Sequence, residues 1–315
     1  MYKLIPSIPN FYPNFAFFKM KIEQKDLKWI YLIVLSLIWG SSFILMKKAL
    51  LGLTPMQVGA FRIIITAVFL MAIGFKRILN LTKRQWYYLL LNALLGTFFP
   101  VFLFAYGIDK IDSSIASILN SFTPLNTLIF GALFFGIGFT KRQALGVFIG
   151  LAGTILLILK GAELHPNQNY FYAILILIAS VGYALNVNIL KKYLQDIDAI
   201  AIAVANFVLM IIPAFIILWN TQFFETFQPT HANIMAMVYM TILSVFGTAL
   251  AKIMFNKLVQ ITTPIFSSSV TYIIPIVAIT WGILDGEKIS FVQFVAGLVI
   301  LFGVYLVNKN KSKSK

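Results

Sequence analysis

The sequence predicts an all-α polytopic membrane protein whose ten transmembrane helices form two inverted five-helix repeats, with both termini in the cytoplasm. The first observation is composition: 60% of the residues are hydrophobic, 11% are charged, and the mean hydropathy is +0.90. Soluble domains have about 45–50% apolar and about 25% charged residues. The second observation is a series of apolar segments, and the third is a polar pattern that occurs twice, 151 residues apart.

Ten apolar segments have about the length that a helix needs to cross a bilayer, which is about 20 residues. They cover residues 27–49, 54–75, 86–108, 112–136, 143–160, 170–190, 198–219, 233–257, 264–284 and 291–308. The first repeat is predicted to span 27–160 and the second 161–308. We expect 1–26 to be a disordered cytoplasmic tail, of which 1–19 is a tail or a wrongly assigned start, and 309–315 to be a basic cytoplasmic tail.

The basic residues are unevenly distributed between the two sides of the predicted membrane. With the N-terminus in the cytoplasm, eighteen lie on the cytoplasmic side and five on the other, while Arg62 and Lys252 fall within spans. This asymmetry follows the positive-inside rule, so the net charge of +15 indicates topology and not nucleic-acid binding. The expected partners are a small-molecule substrate and the lipid bilayer, and the protein is expected to be a monomer or a homodimer.

The repeated pattern combines a polar stripe with a proline inside an apolar helix. Its residues are spaced 0, 4, 7 and 11, which places them on one helix face. They are Ser113, Ser117, Asn120 and Pro124 in the first copy, and Pro264, Ser268, Thr271 and Pro275 in the second. An interior proline costs about 3 kcal/mol in an ordinary helix. The pattern therefore predicts two broken helices whose polar faces meet, with Pro124 and Pro275 at helix breaks or gates.

A second internal match has an offset of 144 residues. It pairs Trp39 with Tyr183, Ser42 with Asn186, and Arg62 with Asn206. Five spans in each copy is an odd number, so the second copy enters the membrane from the opposite side. Transporters with inverted repeats of this kind bind substrate near the midplane between the halves.

Several short motifs occur in a fixed order along the ten predicted spans: Trp39-Gly40-Ser41-Ser42-Phe43, Pro55, Arg62, Phe104-Ala105-Tyr106, Pro124, Pro275 and Glu287. In these motifs and their order, the sequence resembles the drug/metabolite transporter superfamily, in its EamA-type branch, over about residues 27–308. One departure is Gly136, where similar members place an acidic residue. The resemblance implies transport across a bacterial cytoplasmic membrane, often the export of amino acids or related metabolites.

The predicted substrate-binding residues are polar or aromatic side chains within the spans: Trp39, Arg62, Tyr106, Asn120, Tyr183, Asn186, Asn206 and Thr271. For Arg62, a contact with a substrate carboxylate or phosphate and a structural pin on broken-helix carbonyls both remain open. Trp39 either walls the cavity or packs against the other repeat. A small amphipathic, anionic solute suits these residues.

Two other charged residues, Lys252 and Glu287, are each interpreted first as structural. Lys252 is predicted to snorkel from its span to the cytoplasmic headgroups. Glu287 is the candidate coupling residue, although its position near the outer surface favours a solvated or helix-capping carboxylate. Because no carboxylate lies in the middle of a predicted span, the sequence favours facilitated diffusion or exchange over proton coupling.

The predicted function is a secondary-active or facilitative transporter that works by alternating access. The sequence lacks cysteine, which rules out thiolate metal sites, and it lacks a Gly-x-x-x-x-Gly-Lys-Ser/Thr phosphate loop, so ATP does not drive transport directly. No catalytic residue, metal or cofactor is predicted. The alternatives are an intramembrane enzyme, which would need acids, nucleophiles or metal ligands at depth, and a channel with a continuous polar pore.

Overall fold

A computed structural model of the chain describes residues 24–136, 140–164 and 168–308. These residues form helices and connecting turns, without a β-strand among them. The predicted tails lie almost entirely outside the described residues, at 1–23 and 309–315, as do the segments 137–139 and 165–167.

The helices in the first part of the chain, up to residue 164, are α1 (Gln24–Ala49), α2 (Pro55–Gly74), α3 (Lys83–Ala93), α4 (Phe99–Lys110), α5 (Ser113–Asn120), α6 (Thr123–Phe135) and α7 (Lys141–Leu164). Those in the second part are α8 (Ala173–Tyr193), α9 (Ala199–Asn220), α10 (Phe223–Thr226), α11 (His231–Ser244), α12 (Ala251–Ile261), α13 (Pro264–Ser268), α14 (Ile274–Leu284) and α15 (Phe291–Asn308). Short 3₁₀ segments occur at Phe75–Ile78, Tyr170–Tyr172 and Ser269–Tyr272.

Eight helical stretches among the described residues are long and apolar enough to cross a membrane. They are Leu27–Ala49, Pro55–Ile78, Lys83–Lys110, Ser113–Phe135, Tyr170–Tyr193, Ala199–Asn220, His231–Ile261 and Pro264–Leu284. The prediction of a multi-pass helical membrane protein is thus confirmed. The other two predicted spans fall in α7 and α15, whose apolar stretches, Ala144–Lys160 and Phe291–Gly303, are shorter, so the count of ten stays a prediction.

Helices α7 and α15 pack against each other along their length. Small residues make this close approach possible, since a methyl group added at Gly303 would lie 2.5 Å from the backbone nitrogen of Gly150. Helix pairs in membranes associate in this way because glycine lets two backbones come together.

Four of the spans are interrupted within their length. Between α3 and α4 lies a π-helical segment, Leu94–Phe98, and between α11 and α12 lies a second one, Val245–Leu250. The other two interruptions separate α5 from α6 and α13 from α14, where Pro124 and Pro275 each occupy the first turn of the following helix. Proline is tolerated there because its missing N–H would have no partner in a first turn.

Hydroxyl side chains stabilise both proline-associated interruptions. Ser121 Oγ donates to the Ile118 carbonyl at 2.5 Å, and Thr123 Oγ1 donates to the Asn120 carbonyl at 2.8 Å. In the second copy Thr271 Oγ1 donates to the Ser268 carbonyl at 2.9 Å. These bonds give partners to carbonyl groups that lipid cannot satisfy.

The packing of the helices brings the two parts of the sequence together. Helix α2 lies against α9, while α1 contacts α12 and α14, and α8 contacts α4 and α6. The interior between them is mainly apolar, whereas large hydrophobic side chains such as Ile212, Ile216 and Phe302 lie on the outer surface. An apolar exterior of this kind is expected for helices that face lipid.

Candidate functional site

A partly open cavity lies where these helices meet. From the first part of the sequence its walls receive Trp39, Ser42, Phe43, Met46, Arg62, Gly96, Thr97, Val101, Phe104, Ile108, Asn120 and Thr123. The second part contributes Tyr183, Asn186, Val187, Phe207, Gly247, Thr248, Lys252, Phe255, Ser268, Thr271 and Ile274.

The two π-helical segments each present a Gly-Thr pair to the cavity. The pairs are Gly96-Thr97 and Gly247-Thr248, and they are 151 residues apart. A π-turn loosens the regular i→i−4 ladder, which frees carbonyl groups for side-chain donors. Accordingly, the Gly247 carbonyl accepts a hydrogen bond from Trp39 Nε1 at 3.0 Å, and the Gly96 carbonyl accepts one from Lys252 Nζ at 2.7 Å.

Aromatic rings form much of the cavity wall. The Trp39 ring packs against Phe255 with centroids 5.0 Å apart, and Tyr183 stacks on Phe104 with centroids 5.7 Å apart. Phe43 continues the wall, since it meets Phe104 edge to face at 5.8 Å. Because Trp39 already donates its indole N–H to the Gly247 carbonyl, its ring offers the cavity an apolar face.

Arg62 extends into the cavity from the middle of α2 and is only 8% exposed. Its Nε donates to Thr248 Oγ1 at 2.8 Å, and Thr248 Oγ1 in turn donates to the Leu243 carbonyl at 3.0 Å. Within the described chain, the terminal guanidinium nitrogens have no acceptor and form no ion pair. Arg62 Nε therefore contacts a hydroxyl group and not the broken-helix carbonyls of the structural alternative, and the terminal nitrogens remain available.

Lys252 does not snorkel, so that prediction was wrong. The residue is 7% exposed, lines the cavity, and directs its ammonium group to the Gly96 carbonyl of the other part of the sequence. The cause is the π-helical segment that precedes α12. Its wider turn changes the rotational phase of the following helix, which turns Lys252 inward instead of along the bilayer surface.

Three further predicted residues also line the cavity: Asn120, Asn186 and Thr271. The Asn120 side-chain oxygen accepts a hydrogen bond from Thr123 Oγ1 at 3.3 Å. Asn186 Nδ2 donates to the Asn92 carbonyl at 3.0 Å, and Asn92 Nδ2 donates back to the Asn186 carbonyl at 3.2 Å. Together with Trp39, Arg62 and Tyr183, these side chains are brought to one place by the fold.

Two predicted residues, Asn206 and Tyr106, are not brought to the cavity. Asn206 is fully buried, and its Nδ2 donates to Asn92 Oδ1 at 2.7 Å, so it belongs to a packing contact between α9 and α3. Tyr106 lies on α4, where Val101, Phe104 and Ile108 form the cavity face. A residue two positions after Phe104 points away from that face, because successive helical residues are about 100° apart.

Glu287 lies outside the cavity, in a cluster at the end of the spans where α1 terminates. Its side chain is 1% exposed and is 2.7 Å from Lys47 Nζ, which is also 3.6 Å from Asp285. One carboxylate oxygen of Glu287 accepts hydrogen bonds from Ser113 N at 3.0 Å and Ser113 Oγ at 2.6 Å. The other accepts bonds from Ser114 N at 3.1 Å and from Ser114 Oγ.

Glu287 therefore caps the N-terminus of α5, as one of the two sequence interpretations expected, and is not solvated as the other proposed. Burial acts to raise the pKa of the Glu287 carboxyl, but the hydrogen bonds from Lys47, Ser113 and Ser114 and the Lys47 charge outweigh it and lower the pKa. The carboxylate consequently stays ionised at neutral pH, whereas a proton carrier works best with a pKa near the operating pH.

The sequence interpretation missed the Gly-Thr pairs and the inward direction of Lys252. The signal for the first was present, because both pairs share the offset of 151 with Pro124 and Pro275. No group of three or more His, Cys, Asp or Glu side chains that could hold a metal occurs in the part of the chain that the structure describes.

Comparison with known proteins gives consistent results. The EamA-like transporter family matches the chain at residues 27–159 and 170–309. The chain is 30% identical over 293 residues to the uncharacterized inner membrane transporter YedA of Escherichia coli K12, covering 89% of this chain and 90% of that protein. It is 24% identical over 297 residues to the uncharacterized transporter YvbV of Bacillus subtilis 168, with coverage of 94% and 96%. A solved crystal structure has the same fold, with a TM-score of 0.63 and 16% identity, covering 89% of this chain and 95% of that chain.

Proposed function

This chain belongs to the EamA-like transporter family, and we propose that it carries a small amphipathic metabolite across the bacterial cytoplasmic membrane by alternating access. Its relatives include proteins named inner membrane transporters, and its own spans make it a multi-pass membrane protein. We propose export of an amino acid or a related compound as the direction and cargo, with binding residues Trp39, Arg62, Asn120, Tyr183 and Thr271.

The observation that carries this proposal is a single cavity lined by residues from both parts of the sequence, at the depth where four spans are interrupted. Transporters with discontinuous helices bind substrate at such interruptions, because freed backbone groups can contact the cargo. If the two parts move against each other, a cavity between them opens first to one side and then to the other.

Support for an inverted-repeat relation comes from the contacts across the cavity. A methyl group added at Gly247 would lie 2.6 Å from Ser42 Oγ, and one added at Gly96 would overlap the Asn186 carboxamide. In the internal repeat, Ser42 corresponds to Asn186 at an offset of 144 residues, and Gly96 corresponds to Gly247 at an offset of 151 residues. The two contacts are thus exchanged versions of each other, as a twofold axis between the halves requires.

The cluster of charged and hydroxyl side chains around Glu287 supports a proposal that one end of the cavity is closed. Glu287 and Asp285 follow α14, while Ser113, Ser114 and Lys47 belong to α5 and α1. The cluster therefore ties the second part of the chain to the first at the N-terminus of α5, the helix that ends at the break before Pro124. We propose that it closes the outer end of the cavity and separates when the protein opens outward, instead of carrying a proton.

Because the chain contains no cysteine, single cysteines can test alternating access without a background signal. The test positions are Ser42 and Thr271 in the cavity walls. The controls are Ile216→Cys on the apolar surface and Lys83→Cys in the exposed first turn of helix α3. A membrane-impermeant thiosulfonate would be added to either side of oriented vesicles. A carrier should show cavity labelling whose side changes with substrate, no labelling at Ile216→Cys, and labelling at Lys83→Cys from the cytoplasm only.

Counterflow of labelled amino acids in proteoliposomes completes the test. A carrier should show saturable uptake against a preloaded substrate, and labelled cargo should be recovered unchanged. Simultaneous labelling of Ser42→Cys from both sides, together with flux that does not saturate, would show a channel instead. Chemically altered cargo would show an enzyme, so either result would refute alternating access.

A further inference from the structure

We propose that the cavity selects an organic anion, whose carboxylate or phosphate head lies between Arg62 and Lys252 and whose apolar body packs on the aromatic wall. The transport of this anion rests on the proposed function, but its binding does not. The inference depends on which donors in the cavity are already used by the protein and which remain free.

Arg62 is built into the cavity in one orientation. Its Nε donates to Thr248 Oγ1 at 2.8 Å, which uses one of the five N–H donors of the guanidinium group. The two terminal nitrogens find no protein acceptor in the described residues and are not among the atoms sealed from solvent. A planar fork of free N–H groups matches the paired oxygens of a carboxylate or phosphate, which it binds through two parallel hydrogen bonds.

Lys252 provides a second cation in the same cavity. Its ammonium group donates one bond, to the Gly96 carbonyl at 2.7 Å, which leaves two of its three N–H donors. Arg62 and Lys252 line the same cavity, so one anion bound there could be attracted to both side chains. Each residue comes from a different part of the sequence, which means that such an anion would bridge the two.

Neither cation has a protein counter-ion. The ion pairs among the described residues involve Lys47, Lys48, Arg77 and Lys110, and no acidic side chain of that part of the chain lines the cavity. A charge at the centre of a bilayer costs at least about 2.5–3.5 kcal/mol unless water or a partner compensates it. An anion that enters the cavity from outside would supply the charge partner that both side chains lack among the described residues.

The remaining wall defines the other end of the ligand. A continuous aromatic surface is formed by Phe43, Phe104 and Tyr183. The ring centroids of Phe43 and Phe104 are 5.8 Å apart, and those of Phe104 and Tyr183 are 5.7 Å apart. Facing groups such as Asn120 and Thr271 add a few polar contacts. An anion without an apolar body would leave this surface wet, so an inorganic ion is a poor match for the whole cavity.

The test compares probes of equal shape and different charge. Binding of 3-phenylpropionate, its neutral amide 3-phenylpropionamide and the cation 3-phenylpropylammonium to the purified protein would be measured by calorimetry, with phenethyl phosphate as the second anion. We expect both anions to bind at least about tenfold more tightly than the amide, and the cation to bind most weakly. The tighter of the two anions identifies the head group.

Variants then assign the selectivity to the two cations. Arg62→Gln and Lys252→Met should each weaken 3-phenylpropionate binding by about tenfold to a hundredfold, while amide binding should change by less than about twofold. Arg84→Gln and Lys83→Met are matched controls in the exposed first turn of helix α3 and should leave both affinities unchanged. If Arg62→Gln does not fold, Arg62→Lys keeps the charge and should retain the preference for anions.

Two results would overturn the proposal: equal affinity of the wild-type protein for the acid and the amide, or equal loss of both in Lys252→Met. Counterflow with the same probes separates this failure from a failure of the transport proposal. Saturable transport that ignores charge would refute the anion site and keep the carrier. Charge-selective binding without counterflow would keep the anion site and refute the carrier.

Discussion

Replacing Glu287 with glutamine should destabilise the protein at neutral pH by removing a buried charge. The Glu287 side chain is 1% exposed, and Lys47, Ser113 and Ser114 all donate hydrogen bonds to it. Removing one partner of a buried ion pair costs about 3–5 kcal/mol. Since Lys47 is 29% exposed and keeps Asp285 at 3.6 Å, part of that loss is offset, and we expect about 2 kcal/mol.

The measurement is the thermal unfolding midpoint of the purified protein in detergent, with Asp285→Asn as the matched control. Asp285 is 17% exposed and pairs with Lys47 and Lys48 without donors from α5, so its loss should cost at most about 1 kcal/mol. At about 2 °C per kcal/mol for a chain of this size, Glu287→Gln should lower the midpoint by about 4 °C. Asp285→Asn should lower it by no more than about 2 °C.

The pH dependence of this difference follows from the lowered pKa of Glu287. A carboxyl whose pKa is lower in the folded state contributes its full stability above the unfolded-state value, here 4.5. That contribution is lost as the pH falls through the lower folded-state pKa. The difference between wild type and Glu287→Gln should therefore be constant from neutral pH down to about 5 and should shrink only in more acidic solution.

A double-mutant cycle with Lys47→Met decides whether the ion pair is the cause. If the pair carries the effect, Glu287→Gln should cost much less in the Lys47→Met background than in the wild type. Equal costs of Glu287→Gln and Asp285→Asn, additive effects in the cycle, or a difference that grows on acidification would each refute the reasoning.

Two more substitutions test the π-helical segments. Gly96→Ala would force a methyl group into the Asn186 carboxamide and should cost about 1–3 kcal/mol of stability by overpacking, which would appear as a lower unfolding midpoint. Gly150→Ala is the control, because its added methyl group would meet side-chain atoms only at 3.6 Å and should leave the midpoint nearly unchanged. Trp39→Phe keeps an aromatic ring but removes the donor to the Gly247 carbonyl, so it should cost about 1 kcal/mol in the same assay; an unchanged midpoint would mean that water replaces the indole.

The sequence predicted the features that depend on local pattern. Apolar segments gave the spans, and the spacing of Asn120 with Pro124, and of Thr271 with Pro275, gave helices that are indeed interrupted at both places. Helical periodicity indicates which residues share a face, so the stripe that contains Asn120 and its repeated copy with Thr271 both reach the cavity. The roles of these residues in binding and gating stay predictions.

Features that depend on a second helix could not be read in the same way. The internal repeat paired Asn206 with Arg62, but Asn92 of α3 takes the Asn206 amide into a packing contact. Lys252 was assigned from its distance to the helix end, which ignores the change of phase that a π-turn introduces. For Glu287 the sequence left a solvated and a helix-capping carboxylate open, because it does not show that a buried helix N-terminus faces this residue.

The distribution of costly features in this fold argues for a binding site more strongly than any one residue does. The interior of a membrane bundle is cheapest when helices are regular and side chains apolar, because every freed backbone group or buried charge needs a partner that lipid cannot supply. Here two π-helical segments, the ends of two broken helices, and both intramembrane cations converge on one cavity and not on the lipid-facing surface. Packing alone would scatter or remove such features. Their concentration around the cavity that Arg62 and Lys252 line supports the ligand site proposed there.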